Sequence, residues 1–207
     1  MSATADARED SPRSKRSQIL TVAIEQFGRA GYEHTKWSSV AEQVGIGQTA
    51  LYHYFESKAH CLMTIIRLEL TDSIERFHAG TAGIPDPAGA LGSALDSALR
   101  GSSSDMLRRR ILQNHADILS IPRRSRREEA DRVRSQELVA ELEQHWADLL
   151  ERGMDDGHFV RGDPVIVSRL VLGMLGSAWR WYLPGGPLSP NDFARAVSDS
   201  AIRMVTA

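Results

Sequence analysis

With one cysteine, Cys61, in 207 residues, the chain can form no intrachain disulfide and cannot build a cysteine-rich zinc site. That scarcity suits the reducing cytosol. No apolar run approaches the roughly 18 residues needed to cross a bilayer, and the longest candidate, residues 165–182, is broken by Ser168, Arg169, Ser177 and Arg180. The first residues are polar and mixed in charge, without the apolar stretch of a signal peptide, and residues 1–12 read as a disordered arm. These absences predict a cytoplasmic protein with no membrane partner. Catalytic patterns are missing as well. There is no Gly-x-Ser-x-Gly and no glycine-rich phosphate loop, and the seven histidines at 34, 53, 60, 78, 115, 145 and 158 form no metal-binding pair at helical spacing. No enzyme activity, metal or cofactor is expected. Nor is there an excess of positive charge: 25 Lys and Arg against 27 Asp and Glu leave −2, which excludes a uniformly basic coat on nucleic acid.

What remains is helical throughout. Apolar residues recur at three and four, and no stretch alternates at two, so the fold class is all-α with about nine helices. The expected helices run over residues 14–30, 35–44, 47–55, 57–77, 88–100, 104–120, 125–155, 164–182 and 190–205. Glycines at 31 and 45 mark stops, and Asp163-Pro164 and Ser189-Pro190 mark starts. No repeat at solenoid spacing is present.

Residues 35–58 carry the chemistry. Two short helices about the turn Gly45-Ile46-Gly47 fit a helix-turn-helix, whose second helix enters the major groove of DNA. On that second helix Gln48, Thr49, Tyr52 and His53 share one face without an acid, while Leu51 and Phe55 point inward. Amide, hydroxyl and imidazole groups can bond base edges and phosphates without repelling the backbone. Thr35, Lys36 and Ser38 stand at a helix N-terminus, which attracts phosphate, and Lys58 stands at the next one. Residues 13–58 hold six bases against four acids, a local +2, with Arg13, Lys15 and Arg16 clustered where an arm would reach DNA.

Three segments in order, FGRAGYEHT at 27–35, VAEQVGI at 40–46 and LYHYFESK at 51–58, resemble the N-terminal domain of TetR-family repressors, over residues 14–70. Gly47, Thr49 and Ala50 stand where that family commonly has Ser, Gly and Thr. The resemblance implies a homodimer that reads a palindromic operator in double-stranded DNA and is released by a small-molecule inducer. It assigns groove contacts to Gln48, Thr49, Tyr52 and His53, and phosphate contacts to Thr35, Lys36, Ser38, Tyr54 and Lys58. It divides the chain into a DNA-binding domain at 13–58, running on to about residue 73, and a ligand-binding and dimerisation domain at 74–207.

In the second half, the last two helices are apolar over much of their surface. Leu170, Met174 and Ala178, with Phe193, Val197 and Ala201, are candidates for a two-fold interface or for a subunit core, and the resemblance favours the interface. GMLGSAWRWYLPGG at 173–186 and ERGMDDGHF at 151–159 resemble the effector domain of a TetR sub-group regulating lipid and steroid breakdown, some members of which respond to acyl-CoA thioesters. That implies a hydrophobic, acyl-CoA-like inducer, with Trp146, Met174, Trp179 and Tyr182 as candidate pocket residues. Nine arginines between 108 and 134 are either a solvated face or a phosphate site. The alternatives are a multidrug-responsive member of the same family, or a helical lipid or CoA-ester binding protein without operator specificity.

Overall fold

Short polar residues, prolines and glycines set where each helix starts and stops. The structure, a computed structural model, describes residues 12–206. The arm expected over 1–12 lies outside them, apart from Pro12, where the first helix begins. Nine α-helices are present among the described residues: α1 Pro12–Arg29, α2 Trp37–Val44, α3 Gln48–Tyr54, α4 Lys58–Thr81, α5 Pro87–Leu99, α6 Ser103–His115, α7 Arg126–Asp155, α8 Pro164–Trp181 and α9 Pro190–Thr206. None of the described residues is in a strand.

The caps explain most boundaries. Asp163 accepts hydrogen bonds from the N–H groups of Val165 and Ile166, with Pro164 at the first helical position. Ser57 caps α4 through the N–H of His60, and Ser125 caps α7. Asp86-Pro87 does the same for α5, a start the sequence reading places one residue late. Ser102 and Asp105 form a reciprocal capping box on α6. Two boundaries differ from expectation. Residue 36, not 35, caps α2, because Thr35 donates its hydroxyl to the Gly31 carbonyl at 2.9 Å and closes the turn after α1. The single helix expected over 104–120 ends at His115, where φ −131°, ψ 20° leaves the helical region and a 3-10 turn, Ala116–Ser120, follows.

Two apolar cores share one spine. Ile19, Phe27, Val40, Leu51, Phe55, Leu62 and Ile66 pack together and continue into Leu107 and Ile111 of α6 and Leu138 of α7. Phe77, Leu95, Leu99, Trp146, Leu150, Val171, Trp179, Phe193 and Ala201 form the second. Helix α4, 24 residues and about 36 Å long, runs through both. Close approach ties α6 to α1, since a Cβ on Gly28 would lie 2.8 Å from the Leu107 side chain.

The placement of α8 and α9 corrects part of the interface expectation. Ala178, Phe193, Val197 and Ala201 are buried in the subunit's own second core, at 4, 0, 7 and 0 % exposure, so they have no surface to offer a partner. The reason is that the stripe Phe193, Val197, Ala201 faces α5 and α8. Leu170 is 55 % exposed and Met174 half-buried. The apolar surface left outside on α8 runs through Ile166 and Leu170 to Trp181.

Candidate nucleic-acid interface and effector cavity

Gly45 makes the helix-turn-helix corner. Its φ of +74° is the left-handed conformation that a side chain disfavours, and from there its N–H reaches the Ala41 and Glu42 carbonyls. Ile46 donates to Ala41 as well, at 3.0 Å, so the turn is held by backbone alone. Leu51 and Phe55, both fully buried, fix the roll of α3. Trp37 lies edge-on to Phe55 at 6.3 Å, and the Arg16 guanidinium lies over the same ring at 4.6 Å. That roll leaves Gln48, Thr49, Tyr52 and His53 exposed together, with Tyr52 47 % accessible. The face carries no acid.

The expected phosphate residues divide. Lys36 and Ser38 are exposed at the start of α2, whose N-terminus has no side-chain cap. Tyr54, the last residue of α3, is half-buried. Thr35 is a correction: it is buried, and its hydroxyl is committed to Gly31, so it anchors the turn and offers no donor outward. Lys58 sits with its ammonium 4.1 Å from the centre of the Tyr32 ring, half-buried, and loss of solvent pulls its pKa down while Glu33 opposes that. Arg13, Lys15 and Arg16 belong to the first turns of α1 and not to an arm.

The second feature is a cavity of about 370 Å³ enclosed by α4 to α8. Leu70, Phe77, Ala94, Leu142, Trp146, Leu172, Leu175 and Trp179 give it an apolar wall. Two of the four expected pocket residues, Trp146 and Trp179, line it. Met174 and Tyr182 do not. Met174 falls on the side of α8 away from the lining positions 172, 173, 175, 176 and 179. Tyr182 lies beyond the last turn of α8 and stacks on Phe193, ring centres 4.0 Å apart.

Charge also enters the wall, at residues the sequence pattern does not single out. Glu69 is completely buried, 2.5 Å from Arg76 Nη2 and 3.6 Å from Arg109 Nε. Burial raises the Glu69 pKa while Arg76, Arg109 and Arg108 lower it, the net being upward. Arg109, 4 % exposed, lies over Trp179 at 5.1 Å and is pulled down to about 10 by burial, with Arg76 adding to the fall. The signal that marks them is faint: one acid in the apolar run 62–70 of α4, and one member of an Arg-Arg-Arg run. The arginine-rich stretch itself is largely spoken for. Arg108 pairs with Asp72 and Asp105, Arg110 bonds the carbonyls of Arg180 and Tyr182, and Arg132 holds Glu129 and the Leu119 carbonyl. Arg134 pairs with Glu137 and Arg127 lies near Glu56.

Comparison with known proteins finds a match in each half of the chain. Residues 19–64 match the model of bacterial regulatory proteins of the tetR family, and residues 105–205 match the tetracyclin repressor-like C-terminal domain. The chain belongs to the TetR family. It is a helix-turn-helix regulator of transcription, and its relatives include repressors. Repressor KstR2 of Mycobacterium tuberculosis is 26 % identical over 184 residues, 85 % of each chain. The same repressor from Mycolicibacterium smegmatis is 28 % identical over 180 residues, 86 % of this chain and 84 % of that one. Among solved structures, the TetR-family regulator PfmR of Thermus thermophilus superposes with a TM-score of 0.75 at 28 % identity, covering 89 % of this chain and 97 % of that one. The regulator AibR, solved with isovaleryl coenzyme A and operator DNA, superposes at 0.73 over 93 % of this chain and 98 % of that one. At 18 % identity that likeness concerns the fold alone. Among the described residues of this TetR-family chain, no helix is long and apolar enough to cross a membrane.

Proposed function

We propose that the protein is a homodimeric repressor that reads a palindromic operator through α3 and leaves it when a hydrophobic acyl-CoA-like inducer fills the cavity between α4 and α8. Residues 13–58, with α4 to about residue 73, serve as the DNA-binding unit, and 74–207 as the ligand-binding and dimerisation unit. The observation that carries this reading is the exposed, acid-free face of Gln48, Thr49, Tyr52 and His53 on a helix-turn-helix. Gln48, in the first turn of α3, is the residue to meet a base edge. Lys36, Ser38 and Tyr54 flank it for the phosphates, and Lys58 adds a positive charge at a junction shared with Tyr32.

The inducer class is supported by the apolar wall with Trp146 and Trp179, and by relatives whose names refer to steroid and fatty-acid regulation. A ligand shifts DNA affinity only if it prefers the DNA-incompetent form, and α4, which lines the cavity and begins at the proposed DNA-binding unit, supports a coupling of that kind. For the dimer, the exposed stripe Ile166, Leu170 and Trp181 on α8 is a self-complementary surface candidate, with the bare Gly173 between.

A gel-shift titration against the promoter of the protein's own or a neighbouring gene tests the reading. Specific retardation at moderate salt, reversed by a long-chain or steroid-derived acyl-CoA and less by the free acid, is expected. Absence of a specific duplex complex would refute it, and reversal by a cationic drug alone would make the protein a multidrug-responsive regulator.

A further inference from the structure

Arg109 is a buried cation with an unfilled hydrogen-bonding shell. Its Nε, Nη1 and Nη2 are all buried and none has a hydrogen-bond partner among the described residues. Its nearest carboxylate oxygen, Glu69 Oε1 at 3.6 Å, is already held by Arg76 at 2.5 Å and by the Ser73 hydroxyl at 3.3 Å. The Trp179 ring covers the guanidinium on one side. Arg109 is also one of the residues that line the cavity. The charged groups on the wall are Glu69, Arg76, Arg109, Glu143 and Arg169, an excess of one positive charge. Arg169 is paired with Glu143 at 3.2 Å and Arg76 with Glu69, so the excess resides on Arg109.

A buried charge whose hydrogen bonds are unmade is expensive, and natural proteins keep one where a ligand completes it. A planar fork of N–H donors fits a carboxylate in bidentate fashion. A ketone oxygen would leave the charge uncompensated. We propose that Arg109 binds a carboxylate borne on the apolar body of the inducer, at the inner end of the cavity. The cognate ligand class is then an apolar dicarboxylic acid, carried as its CoA monothioester, with the free carboxyl on Arg109 and the hydrocarbon against Leu70, Phe77, Trp146 and Leu175. This rests on the reading of the cavity as the inducer site.

The experiment is calorimetry on the full chain with a matched pair of probes, decanoyl-CoA and the CoA monothioester of decanedioic acid, with decanedioic acid as a third. Wild type is expected to bind the carboxyl-bearing thioester at least ten-fold more tightly than decanoyl-CoA, and Arg109→Gln to lose that preference. Unliganded Arg109→Met is expected to melt no lower than wild type, because Glu69 keeps Arg76 and Arg108. A guanidinium with a purely structural role would lower the melting temperature on removal and leave ligand preference unchanged, which overturns the proposal. Equal binding of both thioesters, with release of DNA, overturns the carboxylate subsite while leaving the acyl-CoA reading standing. Tight, Arg109-dependent binding of decanedioic acid without either thioester supports the subsite and removes the thioester from the function. If Arg109→Gln does not fold, the wild-type preference between the paired probes decides alone.

Discussion

Gln48 and Lys58 are both assigned to DNA, yet their surroundings give them different work. Gln48 is exposed on the acid-free face of α3, so its truncation tests the proposed contact with a base. Gln48→Ala is expected to alter sequence preference by about 1–3 kcal/mol at one base step, measured by competition between operator variants. Lys58 is half-buried over Tyr32. Lys58→Ala is expected to weaken all duplexes alike, to lower the slope of log affinity against log salt by about one unit, and to cost about 0.5–1 kcal/mol of fold stability through the lost cation–π contact. Identical changes on cognate and random DNA for both variants would contradict the division. Asp105 gives a residue-scale test of the fold. Desolvation raises its pKa, but bonds from Ser102 and Arg108 outweigh that and bring it down to about 2. Because the folded pKa lies below the unfolded one, this stabilisation is present above about pH 4 and is lost as pH falls toward 2. Asp105→Asn is expected to lower stability by about 1 kcal/mol near neutrality, with the gap closing below pH 3 in denaturant titrations. At this scale the sequence shows which residue types stand on α3, but not that the Thr35 hydroxyl is consumed by Gly31, since a carbonyl partner leaves no mark in sequence.

Helix positions were legible because their signals are local. Proline after a capping residue, glycine at a positive φ and apolar spacing at three and four need only neighbours in the chain, and they place α3, α7, α8 and α9 to within a residue or two. Which apolar face meets which neighbour is not local. The stripe on α9 could serve a partner or a core, and only the packing of α5 and α8 shows that Phe193, Val197 and Ala201 are used inside the subunit. The charged cavity wall escaped for the same reason, since Glu69 and Arg109 lie on helices 40 positions apart. The contact between α1 and α6 gives a prediction here. A methyl on Gly28 would come within 2.8 Å of Leu107, whose Cβ cannot rotate away. Gly28→Ala is expected to destabilise the protein by about 1–3 kcal/mol, a fall in Tm of several degrees. An unchanged melting curve would show that the two helices are not held as close as described.

For the whole molecule, the net charge of −2 conceals a division of labour. A local +2 lies between 13 and 58, an arginine-rich middle is partly bound into ion pairs, and residues 135–207 hold ten acids against six bases. Bulk attraction cannot supply operator affinity. On the proposed reading a few placed contacts do so, doubled by dimer symmetry, which makes assembly part of the proposed function. Leu170→Glu, on the exposed stripe of α8, is expected to yield a monomer by sedimentation with an intact circular dichroism spectrum, and to lose most of its DNA affinity. A dimeric, DNA-binding Leu170→Glu protein would move the interface elsewhere. The most direct measurement of the central claim is selection of bound duplexes from a random pool by the full-length protein, with and without a long-chain acyl-CoA. The account predicts enrichment of a palindrome whose half-sites are about one helical turn apart, and its disappearance when the acyl-CoA is present. A pool that stays random at moderate salt would contradict it.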